Sequence, residues 1–288
     1  MTDALLPYET AIHLLDNGAV MAECGPMRLV ISSFIGQTAQ REMNVKAAKF
    51  SFEIFERTAR FQDRLKIVQQ NIPSDLQEPV ASKMITSVIS IGDPDLTPMA
   101  AVAGTIADFV ADFLSEAGMT RVIVNNGGDI AVRLGEGASV TVGIRDDIRK
   151  EDFSRVLTLD STEPSWGIAT SGLGGRSLTR GIASAACIVA RNASVADAAA
   201  TAVGNAAFVE DKAVICKDAV EIDPYTDLKG LKVTEFVGNI PEKKKSEAIR
   251  RGMKKARELV EKKIIFGAFL SVKGKMEMTE FFRERVNG

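Results

Sequence analysis

Apolar and polar positions change their spacing several times along this chain, and each change marks an element. From Thr10 to Leu15 and again from Ala19 to Glu23, apolar residues crowd as they do in short strands. Asn17-Gly18 between them is a strong two-residue hairpin signal. Gly25-Pro26 interrupts, and Met27 to Ile35 resumes with β-branched residues. Over Val45 to Gln69 the period lengthens, with Phe52, Phe55, Ala59 and Leu65 on one helical stripe.

A loop over Asn71 to Glu78 leads to a helix that opens at Pro79, runs to about Ile91 and closes at Gly92-Asp93-Pro94-Asp95. Pro98 opens a third helix, to about Ala117, with Gly118 as its stop. Arg121–Asn125, Ile130–Leu134, Val140–Ile144 and Ala186–Ala190 read as strands, with a Gly127-Gly128 turn between the first two. Ser161 to Arg180 is rich in Gly, Ser and Thr. Ser194–Phe208 is an Ala-rich helix, Pro241–Lys263 a long charged one, and Ile264–Met278 a closing hairpin.

Helices and strands alternate irregularly, so the expected fold is α+β, with largely antiparallel sheets packed against small-residue helices. A single domain over residues 1–288 is expected. Ala100–Gly118 and Val195–Phe208, both small-residue helices carrying Asp, suggest two pseudo-repeated subdomains within it.

Composition narrows the partners. Aromatics are only 6%, so the core must be mainly Ala, Val, Ile and Leu. A formal charge of -2 gives no electrostatic pull toward nucleic acid or an anionic membrane. Cys24, Cys187 and Cys216 are odd in number and far apart, which fits a reducing compartment rather than a disulfide framework. The first ten residues lack the pattern of a secretory signal. Met99–Phe113, the longest small-apolar stretch, is interrupted by Asp108 and Asp112 and falls short of the ~18 residues of a span. The cytoplasm is therefore the expected location. The sequence leaves the oligomeric state open, a homodimer included.

Three stretches carry chemistry. In Asn125-Asn126-Gly127-Gly128-Asp129, the glycines let a ligand touch the backbone and Asp129 could meet a ligand hydroxyl; a plain hairpin turn is the alternative. Thr170-Ser171-Gly172-Leu173-Gly174-Gly175-Arg176-Ser177 combines hydroxyls, backbone N–H groups and a guanidinium, a set suited to an oxyanion; a flexible surface loop would look the same. Asp197 and Thr201, one turn apart on a helix, offer oxygen ligands for Mg²⁺. Ser194-x-x-Asp197 equally matches a capping box. His13, the single histidine, reads as structural, and Cys24 at a strand end is a candidate exposed thiol. The basic run around Lys243 to Lys255 reads as a solvated helix face.

The order of these stretches resembles the ApbE superfamily of FAD:protein FMN transferases. Gly104 and Asp108 match its K-G-x-x-x-D helix, Asn125, Gly127, Gly128 and Asp129 its N-x-G-G-D turn, Ile168 to Gly172 its A-T-S-G segment, and Asp197 to Ala202 its A-D-A-x-A-T-A helix. Thr97 to Gly104 and the Thr170–Thr179 loop are similar to the UPF branch of ApbE-like proteins. The resemblance implies Mg²⁺ at Asp197 and Thr201. It implies a phosphate-bearing ligand, FAD or FMN, near Asn125, Gly127, Gly128, Asp129, Thr170, Ser171, Gly172, Arg176 and Ser177. The family's lysine is Ala103 here, the aromatic after its glycine is Thr105, its H-I-x-D-P-x-T-G segment is absent, and the UPF loop histidine is Arg176. The expectation is thus a phosphate and metal pocket that does not work as an FMN transferase. A non-catalytic flavin or nucleotide binder, and an accessory protein of sulfur or cofactor metabolism, are the alternatives.

Overall fold

The computed structural model describes residues 9–68 and 76–287. The expected N-terminal character, and the expected loop from Asn71 to residue 75, lie outside the described residues. The chain opens with β1 (Thr10–Leu14), β2 (Val20–Cys24), β3 (Met27–Ile35) and the short β4 (Thr38–Ala39). Helices α1 (Arg41–Arg60), α2 (Gln62–Leu65) and α3 (Pro79–Ile91) follow, and a 3-10 turn at Pro98–Ala101 runs into α4 (Val102–Glu116). Next come β5 (Arg121–Asn126), β6 (Asp129–Leu134), β7 (Ser139–Ile144), β8 (Arg155–Asp160), β9 (Ser165–Ser171) and β10 (Ala185–Ala190). The last part holds α5 (Ala193–Ala206), β11 (Val214–Asp218), α6 (Ala219–Ile222), β12 (Lys232–Val237) and α7 (Glu242–Glu261). It closes with β13 (Ile265–Val272), β14 (Lys275–Met278), α8 (Glu280–Arg285) and β15 (Val286–Asn287).

A ten-stranded sheet runs in the order β1-β2-β3-β5-β6-β9-β10-β13-β14, with β4 on the side of β3. All of its pairings are antiparallel, as the irregular alternation of elements implied. Strand alternation divides the core between its two faces. On one face Ala131, Ala169, Ala186, Ile188 and Ala268 pack under α1, α3, α4, α5 and α7. On the other, Trp166, Ile168, Cys187, Val189 and Phe269 pack against Leu157 and Leu159 of the small β15-β8-β7 sheet and Phe282 of α8. The fold is therefore three-layered, with the wide sheet in the middle.

Local chemistry explains the element ends. Helix α3 starts where expected because Pro79 needs no amide partner and the Glu78 carboxylate accepts from Ala81 N at 2.8 Å. The first long helix begins at Arg41 rather than Val45 and is broken at Phe61. Within Ser161–Arg180, for which no strand was expected, Ser165–Ser171 form β9, a central strand, and the part after Ser171 is irregular. Pro98–Glu116 is long and apolar enough to cross a membrane by length and composition. In this fold its helix is a core element, and Asp108 within it is fully buried in an ion-pair network.

Candidate functional site

Helices α4 and α5 meet at their N-terminal ends, and each supplies the cap of the other. Asp197 of α5 accepts from the amide of Gly104 at 2.9 Å. Asp108 of α4 accepts from the amides of Ala193 and Ser194, both at 3.0 Å. Each carboxylate thus satisfies orphan N–H groups and faces the positive end of the opposite helix. The approach is so close that a Cβ at Gly104 would stand 2.2 Å from the Ala193 carbonyl oxygen. The Ser194-x-x-Asp197 pattern is consequently not a capping box. Asn192 caps α5, accepting from Val195 N at 3.0 Å, while Asp197 serves the neighbouring helix.

Beneath this crossing runs β6, whose helix-facing positions include Asp129, Ala131 and Arg133. Arg133 reaches Asp108 at 3.0 Å and Asp112 at 2.7 Å, and Lys83 lies 3.4 Å from Asp108. Burial pushes the Asp108 carboxyl upward, but Lys83, Arg133 and the two amides outweigh it, so it is held below the usual range. This end of the crossing is a neutralised structural network.

The other end is not neutralised. Gly127 (φ 67°) and Gly128 (φ 115°) form the two-residue β5–β6 turn, with Asn125 Oδ1 accepting from Gly128 N at 2.8 Å. The turn delivers Asp129 to the helix face, where its charge acts on Asp197. Arg176, from the glycine-rich loop, acts electrostatically on both carboxylates. Burial is the largest influence on each acid. It lifts Asp129 to about 7 against the pull of Arg176. Asp197 rises well above its ordinary value, pushed further by the Asp129 charge and held back by the amides of Gly104 and Ala103.

These shifts predict a pH dependence. Between about pH 4 and 7 the folded protein keeps an Asp129 proton that the unfolded chain has released, so stability falls as pH rises through that window. In EDTA, Asp129→Asn should match wild type near pH 4 and exceed it at pH 8. The gain should be about 1–3 kcal/mol by urea denaturation, less than the full ~1.4 kcal/mol per pK unit because the side chain is only half-buried. A variant less stable than wild type at pH 8 would contradict the reading.

The structure brings Asp129, Asp197 and Arg176 together, but not Thr170: paired with Cys187 across the strands, its side chain leaves the opposite face of the sheet, toward the small β15-β8-β7 sheet. Thr170 and Ser171 are consecutive strand residues, so their side chains leave opposite faces. Ser171 turns to α5, its Oγ 3.8 Å from where a Gly204 Cβ would be. Thr201 follows Asp197 by one turn on the same helical face. Gly172 is buried against Ser184, Ser177 is exposed, and Asn125 is a β5 residue whose side chain closes the turn. The side chains of Asp129 and Thr201 have no hydrogen-bond partner among the described residues.

Sequence reasoning missed Asn126, whose buried amide donates to Ala103 O at 3.2 Å while its Oδ1 has no partner among the described residues. Only its place before Gly-Gly signalled it. Cys24, which could have been exposed or an inert packing residue, is buried, its pKa raised by burial. His13 lies on the edge strand beside Glu23 at 3.2 Å, a structural position.

This α+β architecture is that of solved ApbE proteins. It is similar to the ApbE protein of Thermotoga maritima, with a TM-score of 0.53, 14% identity and coverage of 98% of this chain and 100% of that one. It is likewise similar to the flavin transferase ApbE from Vibrio cholerae, with a TM-score of 0.50, 12% identity and coverage of 97% and 100%. A family model described as AbpE bacteria matches residues 12–278, and the chain belongs to that family. A UPF0280 protein of Methanothrix thermoacetophila is 33% identical over 56% of this chain and 65% of its own length. One of Methanococcus aeolicus is 34% identical over 50% and 59%. The shared stretch thus spans less than two thirds of these curated relatives.

Proposed function

We propose that this chain binds a phosphate-bearing flavin or nucleotide together with Mg²⁺, between the Gly127-Gly128-Asp129 turn and the paired starts of α4 and α5, and that it does not transfer FMN. One observation carries the reading: two carboxylates converge with Arg176 nearby and with oxygens left uncommitted. The donor set of Asp129, Asp197 and Thr201 is all oxygen, the chemistry a hard cation prefers. Asp197 accepts from Gly104 at 2.9 Å and feels the Ala103 amide, and the remaining lone pairs of its carboxylate are open to the cation. Bound there, Mg²⁺ would offset the charge of a phosphate. The chain's own part is to seat the phosphate against the glycine turn, present Arg176 to it and keep the cation on the two carboxylates.

The absence of transfer follows from the residues around this core. Ala103 and Thr105 stand where the resemblance places a lysine and an aromatic, and no histidine lies between Gly172 and Asp197. Incubation with FAD, Mg²⁺ and a threonine-bearing peptide should leave the peptide unmodified by mass spectrometry. Equilibrium dialysis should show FAD retained with Mg²⁺ and released by EDTA or by Asp197→Ala. Covalent FMN on the peptide, or FAD retention indifferent to both EDTA and Asp197→Ala, would refute the proposal.

A further inference from the structure

We propose that Arg176 makes this site selective for a cation and a phosphate bound together over a bare cation, an inference that rests on the site proposed above. The guanidinium is seated on the glycine turn. A Cβ at Gly127 would lie 2.1 Å from Arg176 Nη2 and 2.5 Å from Cζ, so the missing side chain of Gly127 is the space the guanidinium fills. Its bonds go to neutral acceptors, with Nη1 donating to Pro26 O at 3.1 Å and Nη2 to Asn126 O at 3.5 Å. It makes no ion pair among the described residues. Its loop is held from behind, with Gly174 packed on the Arg149 stem, Gly175 on Ile148, and Leu173 N donating to Ala183 O at 2.8 Å.

The positive charge is therefore fixed close to Asp129 and Asp197 without being consumed by either. Of the five N–H donors of a guanidinium, those not given to Pro26 and Asn126 remain for an anion. A divalent cation arriving alone between the carboxylates meets a like charge seated on the Gly127 turn. A cation arriving with a phosphate does not, because the phosphate lies between the two positive centres and is attracted to both. Arg176 thus weakens the first kind of binding and strengthens the second, and the coupling between cation and phosphate is reciprocal.

The test measures Mn²⁺ alone, and ADP at saturating Mn²⁺, by calorimetry on wild type, Arg176→Ala and Gly127→Ala. Arg176 is exposed, so its truncation leaves the core intact. Arg176→Ala should bind Mn²⁺ alone roughly 3- to 10-fold tighter and Mn²⁺-ADP at least about 10-fold weaker. Gly127→Ala keeps the charge but denies it the seat. It should tighten Mn²⁺ alone and weaken Mn²⁺-ADP by less than Arg176→Ala does. Effects of the same sign on both ligands, or none on Mn²⁺ alone, would overturn the role of Arg176 while leaving the site itself standing. No Mn²⁺ binding to any of the three proteins would overturn both.

Discussion

Replacing Asp108 by alanine should cost about 3–5 kcal/mol, read as a lower urea midpoint at unchanged slope. The carboxylate is fully buried, accepts from the amides of Ala193 and Ser194 and from Arg133, and forms an ion pair with Lys83 at 3.4 Å. Without it, Arg133, 9% exposed, keeps Asp112, which is 43% exposed, as its one charged partner among the described residues, and two amides at the start of α5 lose their acceptor. Breaking a buried pair on one side strands the other charge, which is why the loss exceeds the worth of the pair itself. Asp108→Leu combined with Arg133→Met should recover much of the stability, because no buried charge is then left alone. A single alanine variant within about 1 kcal/mol of wild type would show that the network carries little of the fold.

Gly104→Ala should destabilise by about 2–4 kcal/mol, a sign opposite to the one helix propensity gives. Alanine is better than glycine inside a helix by about 1 kcal/mol, so α4 in isolation should gain. At the crossing, however, the new methyl would stand 2.2 Å from Ala193 O, 2.5 Å from its carbonyl carbon and 2.9 Å from Ser194 N. All three are backbone atoms that no rotamer change moves aside. The helices must separate, stretching both reciprocal caps. Gly128→Ala separates the two effects, because nothing lies within 4 Å of its Cβ and only its φ of 115° is strained. That variant should lose about 1–2 kcal/mol. If Gly104→Ala were neutral or stabilising by thermal melting, the close approach of α4 and α5 would be wrong.

What was legible in the sequence was what local rules encode. Asn17-Gly18, Gly25-Pro26 and Gly127-Gly128 mark their hairpins because turn geometry depends on the residues in the turn. Pro79 and Gly118 mark helix ends for the same reason. Strand β9 was hidden because its composition answers a distant neighbour. Gly167 is there because a Cβ would stand 2.0 Å from the Asn192 carbonyl carbon, and small residues at such positions imitate a loop. The β11–β12 pair was missed because its residues are mostly exposed or half-buried and lack a clean apolar face.

The site divides in the same way. Gly104, Asp108, Asp129 and Asp197 were visible as an ordered set of motifs. Their partners were not. Asp197 accepts from an amide 93 residues earlier in the chain, and no spacing rule joins them. The reciprocal caps place one aspartate of each small-residue helix at the other's start. Arg176 was legible as a charge beside glycines, while its seat on Gly127 needed three dimensions.

The most direct test is diffraction from crystals soaked with MnCl₂ and FAD, with the metal located by its anomalous signal. The account predicts one strong peak about 2.0–2.2 Å from a carboxylate oxygen of Asp197, with Asp129 beside it and the flavin diphosphate reaching Arg176. A metal peak away from Asp197, or diphosphate density in the cavity of about 380 Å³ lined by Asp147, Asn239, Lys245 and Lys273, would contradict it.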